Sequence, residues 1–320
     1  VFNLIKIYSL IDIRYSFQEK RSIRRLILML PGGGCEYWKK TGGCTMCGFN
    51  NSMKKYPRGL LNHSFVFSLM YILADKYYKN VEQLSVFNGG SFLNDNEIPS
   101  KFQDYLYRKV AKHQTIKNLL IETRCEYITK NKIHRAVKLL GKKKLTVAIG
   151  LESQDDRVRN VLIRKGLPKS LFEEKVALLN KMGVNVLVYV FLKPLGLVER
   201  EALEDVIKTI KYALLPGVTE INLSCAFIQE GTKMAEAYHR DEFRPPFLWT
   251  ILKIIEEVKK NNWPVSIGGF TDEPPPIAIP SNCSKCSPKI YEAIEQFRMT
   301  GKLGSIPKCM CKKEWDKLIS

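Results

Sequence analysis

The chain has 320 residues, 45% of them apolar, and a formal charge of +19 from 51 basic and 32 acidic side chains. That size supports one large domain with an appendage or two ordinary domains, and no stretch is long and uncharged enough to cross a bilayer. The basic excess is not matched by acidic residues, so a polyanionic partner, nucleic acid above all, is favoured over a merely lysine-rich surface.

In chain order, VFNLIKIYSLIDIRYSF is interrupted by Lys6, Asp12 and Arg14 and lacks a small-residue cleavage site, which argues against a signal peptide. Apolar runs predict strands over 25–31, 83–88, 118–123, 144–151, 185–192 and 219–226. Helical spacing fills the intervals at 63–79, 100–113, 129–140, 170–182 and 199–213. Repeated βα units with buried strands imply a parallel sheet with helices outside it, either doubly wound or an incomplete barrel. No GxGxxG follows the first strand, which disfavours a dinucleotide fold. Past about residue 228 the pattern changes: helices are expected at 231–240 and 247–261, a strand at 264–269, and an extended segment at Glu273-Pro274-Pro275-Pro276. A helical stretch at 289–300 then separates Cys283-x2-Cys286 from Cys309-x-Cys311. The expected division is a barrel over 1–228 and a small α+β appendage over 229–320.

Nine cysteines without a secretory signal point to a reducing, cytoplasmic setting and to metal ligation rather than disulfides. Cys35, Cys44 and Cys47 follow the first expected strand in a glycine-rich loop. Three thiolates with an unfilled fourth position suit a reactive iron–sulfur cluster; the same triplet also fits buried structural thiols or a zinc site closed from elsewhere. Cys283, Cys286, Cys309 and Cys311 can form a tetrahedral thiolate site for zinc or hold a second cluster, stapling an appendage whose core is thin. Cys125 and Cys225 read as core thiols, and the four histidines fit no ligand spacing.

The segment LPGGGCEYWKKTGGCTMCGF resembles the cluster-binding loop of the radical S-adenosylmethionine (radical SAM) superfamily. SVFNGGSFLN, LLIETRCEYI and AIGLESQDDRVRNVLIRKG resemble its elongator-catalytic-subunit type, which modifies tRNA. EINLSCAFIQEGTKMAEAYHRDEFRPPFLW and the paired-cysteine tail are similar, more narrowly, to the archaeal RaSEA family, which completes archaeosine in tRNA. The resemblance implies an α/β fold built on an incomplete (β/α)6 TIM-like barrel with a metal-stapled appendage. It implies that Cys35, Cys44 and Cys47 hold a [4Fe–4S] cluster whose fourth iron binds SAM, with Tyr37 and Phe49 covering it. Asn88, Gly89, Gly90 and Ser91 stand at the SAM-amino motif; Glu122, Arg124, Glu152 and Lys193 are further cofactor-binding candidates. Gln229, Gly231 and Thr232 are substrate-side candidates, while Arg244 and Trp249 read as packing residues. The implied activity is a lyase reaction at position 15 of the tRNA D-loop, cleaving the carbon–nitrogen bond of a lysine-modified 7-deazaguanine through a 5′-deoxyadenosyl radical. Implied partners are tRNA, the lysine-transferring archaeosine synthase subunit and an electron donor. The alternatives are a radical SAM enzyme with another target base and a zinc-stapled RNA-binding protein without activity.

Overall fold

The computed structural model describes residues 9–30, 34–49, 68, 69, 71, 79–270 and 275–320. The six expected strands form β2 (Arg21–Met29), β3 (Gln83–Phe87), β4 (Asn118–Glu122), β5 (Lys144–Glu152), β6 (Asn185–Leu192) and β7 (Glu220–Cys225). They pair in chain order and in parallel, so each strand's C-terminal end points to the same rim. One strand extends the sheet at each side: β1 (Ser9–Ser16), antiparallel to β2, and β8 (Val265–Ile267), parallel to β7. The strand expected at 264–269 thus joins the same sheet as the barrel strands.

β1 escapes an apolar-run criterion because Asp12 and Arg14 interrupt its apolar residues. Leu10 and Ile13, on opposite faces, are 59% and 46% exposed, Ile11 packs partly buried against the core, and Asp12 accepts two hydrogen bonds from Arg25 of β2 at 2.7 and 2.9 Å. A strand held by an ion pair on its covered face carries no buried apolar alternation to read.

Alternation does explain the other strands. Leu84, Leu119, Ile121, Val147, Ile149, Val186, Val188, Ile221 and Leu223 face the helices and join the main core. The opposite face forms the lumen in layers. Gln83, Asn118, Thr146, Asn222 and Ser266 make a polar layer near the strand starts. Leu120, Ala148 and Leu187, packed with Phe87 and Tyr189, form an apolar layer above it. Glu122, Gly150, Phe191 and Ser224 lie at the rim.

The covering helices α1 (Glu36–Thr41), α2 (Ser100–Lys112), α3 (Lys130–Leu140), α4 (Lys169–Lys181) and α5 (Glu199–Leu214) follow β2 to β6 in turn. In α3, Ile133, Ala136 and Leu140 make one buried face, and the Thr129 hydroxyl caps the start by accepting from the Lys132 N–H. Residues 68, 69 and 71, within the helix expected at 63–79, are helical; the rest of that span up to residue 78 lies outside the described residues. After β7 come α6 (Lys233–His239) and α7 (Leu248–Lys260); after β8 come α8 (Ser287–Thr300) and α9 (Cys311–Ile319). Residues 273 and 274 of the extended proline segment also lie outside the described set.

β1 and β8 do not pair, which leaves a seam. Helix α8 contacts β1, β2 and β8 across it. Arg298 Nε donates to the Ile267 carbonyl at 3.1 Å, and Ser22 Oγ donates to the Met299 carbonyl at 2.7 Å. Gly301 ends α8 at φ +72°, and a Cβ there would meet the Tyr15 ring at 3.1 Å. The nearly closed barrel therefore borrows a helix from the C-terminal segment as its last stave.

Candidate functional site

The rim after β2 is built by a short helix and two glycines. Cys35 precedes α1; Gly42 and Gly43 follow it at φ +82° and +77°, turning the chain back under the Trp38 ring. That return brings Cys44 beside Cys35, and a turn, Cys47 N–H to Cys44 carbonyl at 3.1 Å, adds the third thiol. One helical turn and one tight turn are what the x8 and x2 spacings encode. The loop is pinned from the β5 side: Thr45 donates through its N–H to the Ile163 carbonyl and through its hydroxyl to Leu162, and Tyr37 donates to the Arg164 carbonyl at 2.8 Å.

All three cysteines line a cavity of about 300 Å³ at the strand C-terminal ends, where barrel chemistry concentrates. Gly89, Gly90, Glu122, Arg124, Glu152 and Gln229 line it too, as do Tyr37 and Phe49. Asn88 and Ser91 are buried beside it and have a different task. Glu97, 3% exposed, accepts from the Ser91 N–H at 2.5 Å and the Asn88 amide at 3.2 Å with one oxygen. With the other it accepts from the Glu36 N–H at 2.9 Å. This buried carboxylate ties the glycine loop to the residue after Cys35. Only glycine fits at 90, where a Cβ would stand 2.0 Å from Glu97 and 3.2 Å from the Cys35 backbone.

Glu152 sits at φ +68° beyond a β-bulge, and its carboxylate accepts from Lys165 Nζ at 2.7 Å. Although burial works against its charge, Lys165 is held above the ordinary lysine value by that carboxylate. The Arg124 guanidinium lies over the Tyr37 ring at 3.8 Å and donates to Glu126 at 2.5 Å and to the Lys165 carbonyl at 2.9 Å. Gln229 packs on Gly48, beside Cys47, and its carbonyl accepts the hydroxyl of Thr232, the N-cap of α6. Gly231 turns the chain between them at φ +75°.

Lys193 lies outside the cavity lining. Its Nζ bonds to Glu199 at 2.7 Å, both residues being buried. Glu199 also accepts from the Phe247 N–H and the Thr250 hydroxyl, and Thr250 accepts from Trp315 Nε1 at 2.8 Å. This chain of contacts docks α9 and α7 onto the β6–α5 loop. Glu97 and Tyr189 lie outside the quoted motifs; Lys165 lies within AIGLESQDDRVRNVLIRKG but takes its role only from its contact with Glu152. Cys225 is buried as expected and also borders the cavity, whereas Cys125 is buried away from it.

The thiols of the triplet are raised by burial, Cys47 to about 12, so a metal must displace their protons. Their sulfurs are not gathered within 4.8 Å of one another as the tail cysteines are, and they face an open cavity beside the Gly90 cradle. This donor set fits a cluster with one open position better than a closed single-ion site. In the tail, the Cys283, Cys286, Cys309 and Cys311 sulfurs approach pairwise to 3.4–3.6 Å. A tetrahedral zinc tetrathiolate with bonds near 2.3 Å separates its sulfurs by about 3.8 Å, so this set fits a single ion. Trp249 is buried as expected and donates its Nε1–H to Cys311 Sγ at 3.4 Å, while Arg244 stacks on Phe247 at 3.6 Å.

No protein-family model matches the chain. Over 305 residues it is 29% identical to archaeosine synthase subunit beta of Methanosarcina acetivorans, covering 92% of this chain and 85% of that protein. Among solved structures, Elp3 of Methanocaldococcus infernus superposes with a TM-score of 0.53 at 16% identity, covering 73% of this chain. This chain spans only 58% of that longer one. A radical SAM methyltransferase from Sphaerobacter thermophilus gives 0.51 at 12% identity, covering 82% and 73% of the two chains. The chain is thus similar over most of its length to archaeosine synthase subunit beta, and its fold is the barrel seen in solved radical SAM structures.

Proposed function

We propose that the protein is the radical SAM lyase that completes archaeosine in the tRNA D-loop, cleaving the carbon–nitrogen bond between a lysine side chain and the 7-deazaguanine base. The observation carrying this reading is the convergence of Cys35, Cys44, Cys47 and the Gly89–Gly90 loop on one rim cavity in a chain homologous to archaeosine synthase subunit beta. Cys35, Cys44 and Cys47 would hold a [4Fe–4S] cluster, which supplies the electron that splits SAM into methionine and a 5′-deoxyadenosyl radical. Gly90 leaves room for Glu97, which holds the loop at its distance from Cys35, and the backbone of Gly89 and Gly90 that borders the cavity would face the SAM ammonium. The Glu152–Lys165 pair and Arg124 present fixed charges to polar parts of the cofactor. Tyr37, Trp38, Met46, Phe49 and Phe227 line the remaining wall and limit water there.

Residues 1–228 would carry this chemistry, and 229–320, with zinc at the four tail cysteines, would face tRNA and a lysine-transferring alpha subunit in the cytoplasm. The excess of 51 basic over 32 acidic residues would hold the tRNA while the buried base is exposed, a step costing a few kcal/mol. No helix among the described residues is long and apolar enough to cross a membrane.

The test is an anaerobic assay of the reconstituted protein with SAM, dithionite and tRNA bearing the lysine adduct, read by mass spectrometry. 5′-Deoxyadenosine and archaeosine are expected together, and both are lost in Cys44→Ala. 5′-Deoxyadenosine without archaeosine would move the target to another base. Neither product, from protein with a verified cluster, would sink the enzymatic reading.

A further inference from the structure

Among the described residues lining the rim cavity, Arg124 and Lys165 match Glu122 and Glu152 in number but not in pairing. Glu152 is paired with Lys165, and Arg124 with Glu126. Among the described lining residues that leaves Glu122 as a carboxylate without a cationic partner. Its Oε1 accepts the Tyr189 hydroxyl at 2.5 Å, and no side chain bonds to its Oε2. Tyr189 reaches it from β6 across β5, whose inward positions there are the small Ala148 and Gly150. Beneath lies the apolar layer of Leu120, Ala148 and Leu187, which offers the carboxylate nothing. One fixed contact, from Tyr189, thus orients a buried carboxylate that borders the cavity and bonds to no cationic side chain, so its ionised form is favoured further when a ligand brings a cation.

We infer that Glu122, oriented by Tyr189, receives the α-ammonium group of the lysine portion of the substrate and so selects for an amino-acid adduct. The inference rests on the proposed function and adds the residue that reads the substrate. Two aliphatic ammonium groups enter such a site. That of SAM goes to the cluster side, at Cys35 and Gly90; Glu122 stands on β4 facing β6 and remains for the other. Burial raises Glu122 to about 7, and a bound ammonium would restore its ionised form.

The test compares tRNA carrying the lysine adduct with tRNA carrying the 6-aminohexanoate adduct, which differs only in lacking the α-amino group. In the wild type, deleting that group is expected to lower kcat/KM for 5′-deoxyadenosine formation about 10- to 100-fold, the range for a hydrogen bond to a charged group. Glu122→Gln keeps the shape and loses the charge; it should process both adducts alike, within about threefold, at unchanged SAM affinity. Glu122→Asp keeps the charge and should retain the preference for lysine at a lower rate. Retained discrimination in Glu122→Gln would overturn the inference while leaving the enzyme's function intact. Loss of SAM binding in that variant would reassign Glu122 to the cofactor. A wild type that makes no archaeosine from the lysine adduct removes the functional reading and this inference with it.

Discussion

At the scale of single residues, buried acids are spent in two ways. Glu97 satisfies N–H groups from two loops and thereby sets the distance between the glycine loop and Cys35. Glu220, in the polar lower layer of the lumen, has instead the Ser266 hydroxyl on one oxygen, and burial raises it to about 7 despite that bond and Arg25. Its folded-state pKa therefore exceeds the unfolded value, and the folded protein holds a proton that the unfolded chain has released. The stability this contributes is complete below the ordinary carboxylate range and is lost as pH rises towards about 7. In denaturant titrations between pH 5 and 7, the wild type should lose up to about 1.4 kcal/mol per pH unit from this one group. Glu220→Gln should flatten the decline by that amount. An unchanged pH slope in the variant would show that Glu220 is ionised in the folded protein.

At the scale of elements, the C-terminal segment acts as part of the barrel rather than as a passenger. Helix α8 closes the seam between β1 and β8, and α9 places Trp315 on Thr250, two contacts from Lys193 at the end of β6. The four tail cysteines hold the start of α9 against α8, and Trp249 bonds directly to Cys311. Breaking the proposed tail metal site, by Cys309→Ser with Cys311→Ser, should therefore change the emission of Trp249 and Trp315 and lower the melting temperature. A loss of about 2–5 kcal/mol is in keeping with removal of a structural cross-link. Iron at the proposed cluster site should survive, since Tyr37 and Thr45 tie the Cys35, Cys44 and Cys47 loop to the β5 side. An unaltered melt and emission would show that the tail cysteines hold no metal of structural consequence.

For the molecule as a whole, charge is the property that acts at long range. A net +19 should make tRNA capture fast and strongly dependent on salt. Neutralising about six phosphates corresponds to a log–log slope of affinity against salt near −4 to −5. Filter binding or anisotropy between 50 and 300 mM salt measures it, and a slope shallower than about −1 would leave the basic surface without a role in tRNA binding.

The sequence by itself determined the six parallel strands and the cysteine loop, because both are local: apolar runs mark strands buried on two faces, and three thiols separated by a short helix and one tight turn reach the same cavity. It also placed Gly90, Glu122, Arg124 and Glu152 at strand ends, which a parallel barrel gathers on one rim. The tertiary structure alone decided who bonds to whom across those ends. Lys193 lies beside the rim in sequence yet is taken by Glu199, six residues on, in a network completed from α7 and α9. Tyr189 lies outside the quoted motifs and Lys165 is an unassigned position within one; they become site residues only when set against Glu122 and Glu152. The strand β1 escaped the sequence because an ion pair to β2 holds it rather than an apolar face; the helix α8 was expected over 289–300, and only its role as closing stave, set by partners such as Ser22 that lie 277 residues earlier, needed the tertiary structure.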